Sequence, residues 1–333
     1  MSKKTPLAIL KLLLIIGLFV GLQQLIELKT FGFCLSKITA DDLPFQKDFE
    51  TSPLSTEEEA HIQHLLSQEY RIIGVGSECF AFESADGQAV IKFFKLDHTR
   101  PVYLHRGLFL EDYSQTEVKL SDHLLTKISL PRALDYFRKR LVGIREFRLQ
   151  RTFNSIKLAY EELKEETGLL YLHLNPTSHL KRSLTICDGC GIRHEIDLDT
   201  IKFFLQKKAT PTQKHFSSLK LKGEHRLAEQ SIDALIELIL VRCKKGFSDR
   251  DIMLRNIGFI KAESIEIDSG SFRRNPKMKE DWIYKQELFY ATLELKAWFK
   301  KNYPEMAKYL EDRVTEKICH NPCRANTSSL APP

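Results

Sequence analysis

The sequence predicts an α+β protein of two lobes behind one amino-terminal apolar helix. Three observations carry this: an apolar segment at the start, a strand-rich block over residues 70–95, and a helix-rich second half. The 333 residues leave room for one large domain or two modest ones. With 43% hydrophobic and 28% charged residues, the composition is that of a folded globular chain. The formal charge of +6 is mild and the lysines are interleaved with acids. No basic stripe stands out, so nucleic acid is not expected as a partner.

The start of the chain, "MSKK", precedes "LAILKLLLIIGLFVGLQQLIEL", which is apolar from Leu7 to Leu28 apart from Lys11, Gln23, Gln24 and Glu27. Its uninterrupted part, Leu12 to Leu22, has the length of a signal-peptide core. The whole segment, with Lys11 reaching toward the headgroups, is long enough to span a bilayer. No small-residue cleavage site of the Ala-x-Ala kind follows, and there is no polar face to suit a soluble helix. Residues 1–30 are therefore read as an uncleaved single-pass membrane anchor, with a cleaved secretory signal as the alternative. Lys3, Lys4 and the terminal amine before the segment barely outweigh Lys29 and Lys37 after it, so orientation leans only slightly to a cytoplasmic amino terminus.

Residues 31–55, with Pro44, Pro53 and several Ser and Thr, read as a linker. A domain over 56–318 follows, its first lobe at about 68–150 and its second at about 151–318. "STEEEAHIQHLLSQE" starts a helix at a capping box, Ser55 or Thr56 followed three residues later by Glu. "YRIIGVGSECFAFESADGQAVIKFFK" reads as strand, glycine turn, strand, Asp-Gly turn at 86–87, and strand. "SQTEVKLSDHLLTKI" is helical, and "LPRALDYF" and "LVGIREFRLQ" are candidate strands. "SIKLAYEELKEETG" is a helix stopped at Gly168, "LLYLHL" a strand, and "SLTIC-DG-CGIRHEI" a hairpin on a two-residue Asp-Gly turn. "DTIKFFLQKKA" and "EHRLAEQSIDALIELILVRCKK" read as helices, the second buried. "SIEI" is a short strand, and a helical stretch from Asp281 to Ile318 breaks near Pro304. Residues 319–333 read as a disordered tail.

Of the seven cysteines, Cys34, Cys79 and Cys243 stand alone and read as small apolar residues. Cys187 and Cys190, with Cys319 and Cys323, form two close pairs, for which a zinc site, disulfides and free thiols all stay open.

Several polar residues suggest chemistry when taken in order. Gly74 and Gly76 in "GVGSEC" would let the backbone approach a phosphate, although glycines also serve plain hairpins. Lys92 lies in the apolar strand "AVIKFF", where a buried ammonium needs a counter-charge unless it points to solvent. Glu117, on the following helix, is preferred as that partner over Glu111. In "GFSDRDIMLRNIGF", Asp251 and Asn256 lie five apart after a buried helix, and Asp268 ends the strand "SIEI" twelve residues later. A cation for phosphates, oxygen ligands for magnesium and a carboxylate to orient a hydroxyl are what phosphoryl transfer requires.

Taken together, "GVGSECF…AVIK…E…DRDIMLRN…IEIDSG" resembles the protein-kinase-like superfamily over roughly residues 70 to 300. The resemblance implies a bilobal fold with an antiparallel-sheet first lobe and a mainly helical second lobe. It also implies Gly74 and Gly76 over the phosphates of ATP, and Lys92 on those phosphates and paired with Glu117. By the same resemblance Asp251 is the catalytic carboxylate, and Asn256 and Asp268 bind Mg2+, with the apolar residues of "DIMLRN" anchoring the loop. The chain departs from the pattern where Asp249 replaces the loop histidine and Ser269 the phenylalanine of "DFG". It also has no "APE". Those departures speak against a standard peptide acceptor. The expectation is an ATP- and Mg2+-dependent phosphotransferase of atypical type, with a membrane-tethered pseudokinase as the alternative.

Overall fold

Strands and helices segregate along the chain as the patterning predicts, and the architecture is α+β. The computed structural model describes residues 5–39, 45–96, 130–251 and 253–319. In chain order the first elements are α1 (Thr5–Thr30), α2 (Thr56–Leu65), β1 (Tyr70–Val75), β2 (Cys79–Ser84) and β3 (Ala89–Phe94). Next come α3 (Leu130–Glu162), α4 (Lys164–Thr167), β4 (Leu169–His173), β5 (Ser183–Cys187), β6 (Arg193–Asp197) and β7 (Phe203–Lys207). Then follow β8 (Thr210–Pro211), α5 (Thr212–Lys222), α6 (His225–Lys244), β9 (Phe247–Asp249), β10 (Ile257–Ile260) and β11 (Glu263–Glu266). The chain ends in β12 (Phe272–Arg274), α7 (Asp281–Asn302) and α8 (Pro304–Cys319).

Two compact units share these elements, and the chain passes between them more than once. The first comprises 1–153 and 171–205, the second 154–170 and 206–333, so one boundary near residue 150 does not describe the molecule.

In the first unit the strands form a sheet in the order β4-β7-β3-β2-β1-β5-β6. β1, β2 and β3 make an antiparallel meander, and β5 joins β1 in parallel. β3 is buried on both faces, as an apolar run broken only by half-buried Lys92 requires. Its aromatics pack edge-on: Phe82 against Phe93 at 5.6 Å, Phe94 against Phe153 at 4.8 Å, and Phe49 against Phe153 at 5.4 Å. α2 begins at the predicted capping box, with Ser55 and Glu58 exchanging hydrogen bonds. α1 contains a 22-residue stretch, Ile9–Thr30, that is long and apolar enough to cross a membrane.

Four expectations are corrected here. The candidate strands "LPRALDYF" and "LVGIREFRLQ" lie in the single helix α3, where Leu149, Phe153, Ile156 and Tyr160 form a buried stripe of helical period. "DTIKFFLQKKA" contains β7 rather than a helix: Phe203–Leu205 is a short run buried on both sides, which periodicity alone does not distinguish from helix. The span 31–55 is no free linker, because Phe33, Ile38 and Phe49 are core residues. In the cysteine hairpin Cys187 pairs with Arg193, so the turn holds five residues, 188–192, rather than two. The helix predicted around Glu117, Glu111 itself, Cys323 and the tail from residue 320 lie outside the described residues.

The second unit packs α5, α6, α7 and α8 around a core of Phe216, Leu235, Ile239, Phe259, Leu295 and Phe299. α6 is the buried helix its sequence predicts. The α7–α8 break falls at Pro304. Small sheets brace these helices: β10 pairs antiparallel with β11 and β8, and β12 with β9. Gly168 ends α4 as predicted, in the left-handed region at φ +62, where a Cβ would come within 2.9 Å of Ile265 Cδ1.

Candidate functional site

The candidate residues divide between the units, and each set has its own local geometry. In the first unit, Gly76 to Glu78 connect β1 and β2. Gly76 N donates to the Cys79 carbonyl at 2.8 Å, and Lys95 Nζ donates to the Gly76 carbonyl at 2.6 Å. Neither Gly74 nor Gly76 has a positive φ. A Cβ on Gly74, which sits at a slip in the β1–β2 register, would meet nothing within 4 Å, and one on Gly76 only the Cys79 carbonyl at 3.8 Å. The turn itself therefore makes no steric demand for these glycines, and the space over them is open.

Lys92 stands opposite Ala81 on β2, between fully buried Ile91 and Phe93. Its side chain is half-buried, with Nζ 5.4 Å from the centroid of the Phe204 ring on β7, a cation–π arrangement. The structure thus places Lys92 on a central strand rather than a solvent edge. Glu117, its proposed partner, lies outside the described residues.

In the second unit the β10–β11 hairpin brings two candidate ligands together. Ile257 pairs with Glu266, and Ile267 N donates to the Asn256 carbonyl at 2.7 Å, so Asn256 and Asp268 flank the open end of one ladder. Asn256 is buried, and its Nδ2 donates to the Asp251 carbonyl at 2.7 Å and to Asp251 Oδ2 at 3.1 Å. Both amide hydrogens are thereby directed at Asp251, leaving Oδ1 as an oxygen donor. Asp268 is exposed, with Oδ1 accepting from Gly270 N at 3.1 Å. Asp251 also has Arg255 Nη2 at 3.6 Å. An amide oxygen and a carboxylate, completed by phosphate oxygens, suit magnesium.

Asp249, the departure in the loop, is bound to its surroundings. Its Oδ1 accepts from Asp251 N at 3.0 Å and from the Ser271 hydroxyl, joining the loop to the segment after Asp268. Ser155 Oγ donates to the Ser269 carbonyl at 2.7 Å. Of the apolar residues in "DIMLRN", Leu254 is buried as expected, Met253 is exposed, and Ile252 lies outside the described residues.

A buried ionic cluster that the sequence reading missed supports this loop. Arg242, on α6 and only 1% exposed, has Nε 2.9 Å from Glu266 Oε1 and donates from Nη2 to Glu287 Oε1 at 3.1 Å. Glu287 in turn accepts a hydrogen bond from the Asp249 backbone. Burial raises the Glu266 carboxyl, against the pull of Arg242. Two turns along α7, Glu294 Oε2 accepts from Leu254 N at 2.8 Å. The available signal was Arg242 itself, four and seven residues after Leu238 and Leu235 on the buried face of α6, which obliges a buried acid to accompany it.

Elsewhere, a cleft of about 660 Å³ in the first unit is lined by Phe45, Phe49, Glu59, Tyr171, His173 and others, but by none of Gly74, Gly76 and Lys92. Among the described residues no group of three or more His, Cys, Asp or Glu side chains could hold a metal ion. Cys187, Cys190 and Cys319 are free thiols. No protein-family model matches the chain. No curated protein matches it either.

Proposed function

We propose that the protein is a membrane-anchored, ATP- and Mg2+-dependent phosphotransferase of atypical kinase type, built on a bilobal kinase-like fold. The observation that carries the reading is the Asn256 amide, fixed through both hydrogens on Asp251 and set by the β10–β11 ladder beside Asp268. ATP supplies the transferable phosphoryl group, and Mg2+ neutralises its oxygens. Lys92 draws the phosphates by charge, with Glu117 as its counter-ion in this reading, and the open space over Gly74 and Gly76 admits them close to the backbone. Asn256 Oδ1 and the Asp268 carboxylate hold the metal. Asp251 accepts a hydrogen bond from the acceptor hydroxyl, orients its oxygen at phosphorus and takes its proton as the new P–O bond forms and the bond to ADP breaks. The acceptor is an alcohol outside standard peptides, because the short stretch between Gly270 and α7, without an "APE", has no room for the segment that shapes a peptide site.

One observation favours a second reading, a membrane-tethered pseudokinase acting as a binding or scaffold protein. Asp251 Oδ2 is engaged by both Asn256 and Arg255, contacts that compete with an acceptor hydroxyl for that oxygen. Thermal stabilisation of the full chain in detergent by Mg-ATP tests the nucleotide claim of the first reading, which the second does not require. At a hundred times Kd the expected stabilisation is about 2.7 kcal/mol, or several degrees, lost in Lys92→Ala and Asp268→Ala. No shift in the unaltered protein would exclude nucleotide binding. Given a shift, ATP turnover that is equal in Asp251→Asn and the parent would remove Asp251 from the mechanism, and no turnover in the parent would leave the scaffold reading.

A further inference from the structure

α1 is joined to the first unit without a flexible tether. The helix ends with Phe31 and Gly32 in the left-handed region, and Gly32 N donates back to the Glu27 carbonyl at 2.9 Å. The next residue, Phe33, is already in the core, edge-on to Phe80 at 5.3 Å, Phe82 at 5.1 Å and the His194 ring at 5.7 Å. Lys37 Nζ donates to the Gly32 carbonyl at 2.6 Å, bracing the corner.

The β5–β6 hairpin closes against that same corner. Gly189 lies so near the helix end that a Cβ there would overlap the Lys29 carbonyl and come within 3.2 Å of Thr30 N. The hairpin tip is preformed: Asp188 Oδ1 accepts from Cys190 N at 2.9 Å and Ile192 N at 3.0 Å, and Oδ2 pairs with His194. Three residues from Gly189, hence within about 10 Å of it, the tip presents Ile192, which is 57% exposed.

Membrane dimensions then locate the tip. The apolar stretch Ile9–Thr30 has 22 residues, exposed from Ile9 to Lys29 and entering the protein only at buried Thr30. At 1.5 Å per residue it is about as long as the roughly 30 Å hydrocarbon layer, so its Lys29–Thr30 end lies at the boundary with the headgroups. A loop in contact with Lys29 is at that boundary too, in a headgroup zone only about 6 Å deep on each side.

We propose that the 188–192 hairpin tip is a second membrane contact, with Ile192 entering the lipid interface beside α1 and fixing how the first unit faces the bilayer. The partner is the lipid surface itself. The inference rests on α1 being the anchor, as in the function proposed above.

The test is lipid quenching of a tryptophan introduced at the tip. Full-length Ile192→Trp is reconstituted in phosphatidylcholine vesicles with plain or brominated acyl chains, and the parent, with its two tryptophans, is subtracted. Gln88→Trp is the control: Arg71 pairs with both Glu83 and Cys187, so the hairpin tip and the 85–88 turn point to opposite ends of β1. We expect all proteins to float with the vesicles. The added Ile192→Trp emission should fall about twofold on bromolipid, the depth of an interfacial side chain, while Gln88→Trp stays unquenched. Gly189→Val in the Ile192→Trp background should keep flotation and lose quenching. Flotation with an unquenched Ile192→Trp would overturn the tip contact and leave the anchor standing. A parent chain that fails to float with vesicles would overturn both.

Discussion

At the scale of single residues, Asp249 is the most informative position, because the loop pattern places a histidine there. Its carboxylate takes the Asp251 amide and the Ser271 hydroxyl, so it joins the loop to the segment following Asp268. Asp249→Ala should lower the urea midpoint by the equivalent of about 1 kcal/mol, the low end of the cost of removing a charged acceptor, because its donors are only half-buried. Ser271→Ala should cost less, since it removes one donor and leaves the carboxylate its amide. A second residue sets a pH dependence. His215 is buried, stacked on Phe259 at 4.4 Å, and donates from Nε2 to Ser231 Oγ, whose own proton goes to the Leu227 carbonyl. Burial lowers its pKa to about 4. The unfolded chain takes up the proton near pH 6.5 and the folded chain does not, so stability is full above that value and falls as pH drops toward 4. The loss from this residue approaches about 3 kcal/mol, and His215→Phe should make this part of a plot of Tm against pH less steep, with buried His173, also lowered to about 4, supplying the slope that stays.

At the scale of elements, α7 does more than cover the core. Glu287 and Glu294 project two turns apart and hold the two ends of the 249–254 loop, the first in company with Arg242. Arg242→Met should be severely destabilising, by about 3–5 kcal/mol, because it strands Glu266 and Glu287 without their cation. Arg242→Met combined with Glu266→Gln should recover part of that loss, and denaturant midpoints of the two variants decide the matter. This network was only half legible in the sequence. Arg242 on an apolar helix face announces a buried acid, but nothing local says that the acid is Glu266 or that Glu287 reaches the loop. Elements with their own punctuation were legible: the β1–β2–β3 meander with its Asp-Gly turn, the Ser55 capping box, and the Gly168 stop. β7 and α3 were not. "IKFFLQK" is too short for its period to separate strand from helix, and the apolar residues of α3 lie among so many arginines that two short strands read equally well. Asn256 and Asp268 were legible as a pair because the hairpin between them is short, whereas the ties made by Asp249 require knowing that β9 pairs with β12.

At the scale of the whole molecule, the segment after α1 belongs to the fold. A soluble chain begun at residue 50 would discard Phe33, Ile38 and Phe49, all in the core of the first unit. Loss of a buried phenylalanine alone costs about 3–5 kcal/mol. A chain starting at residue 31 should give a cooperative thermal transition in solution, and one starting at residue 50 should aggregate or melt without one. Size-exclusion chromatography and a melting curve on the pair distinguish them.

The discontinuous course of the chain also has a consequence in time. During synthesis α1 leaves the ribosome before the strands, yet the first unit is not complete until Leu205 has emerged, and residues 154–170, which belong to the second unit, come out in between. Until β7 arrives, β3 has β2 on one side and a bare edge on the other. For the duration of more than a hundred residues of translation, the strand that carries Lys92 exposes unpaired backbone to whatever is nearby. A nascent chain of this design needs shelter through that interval.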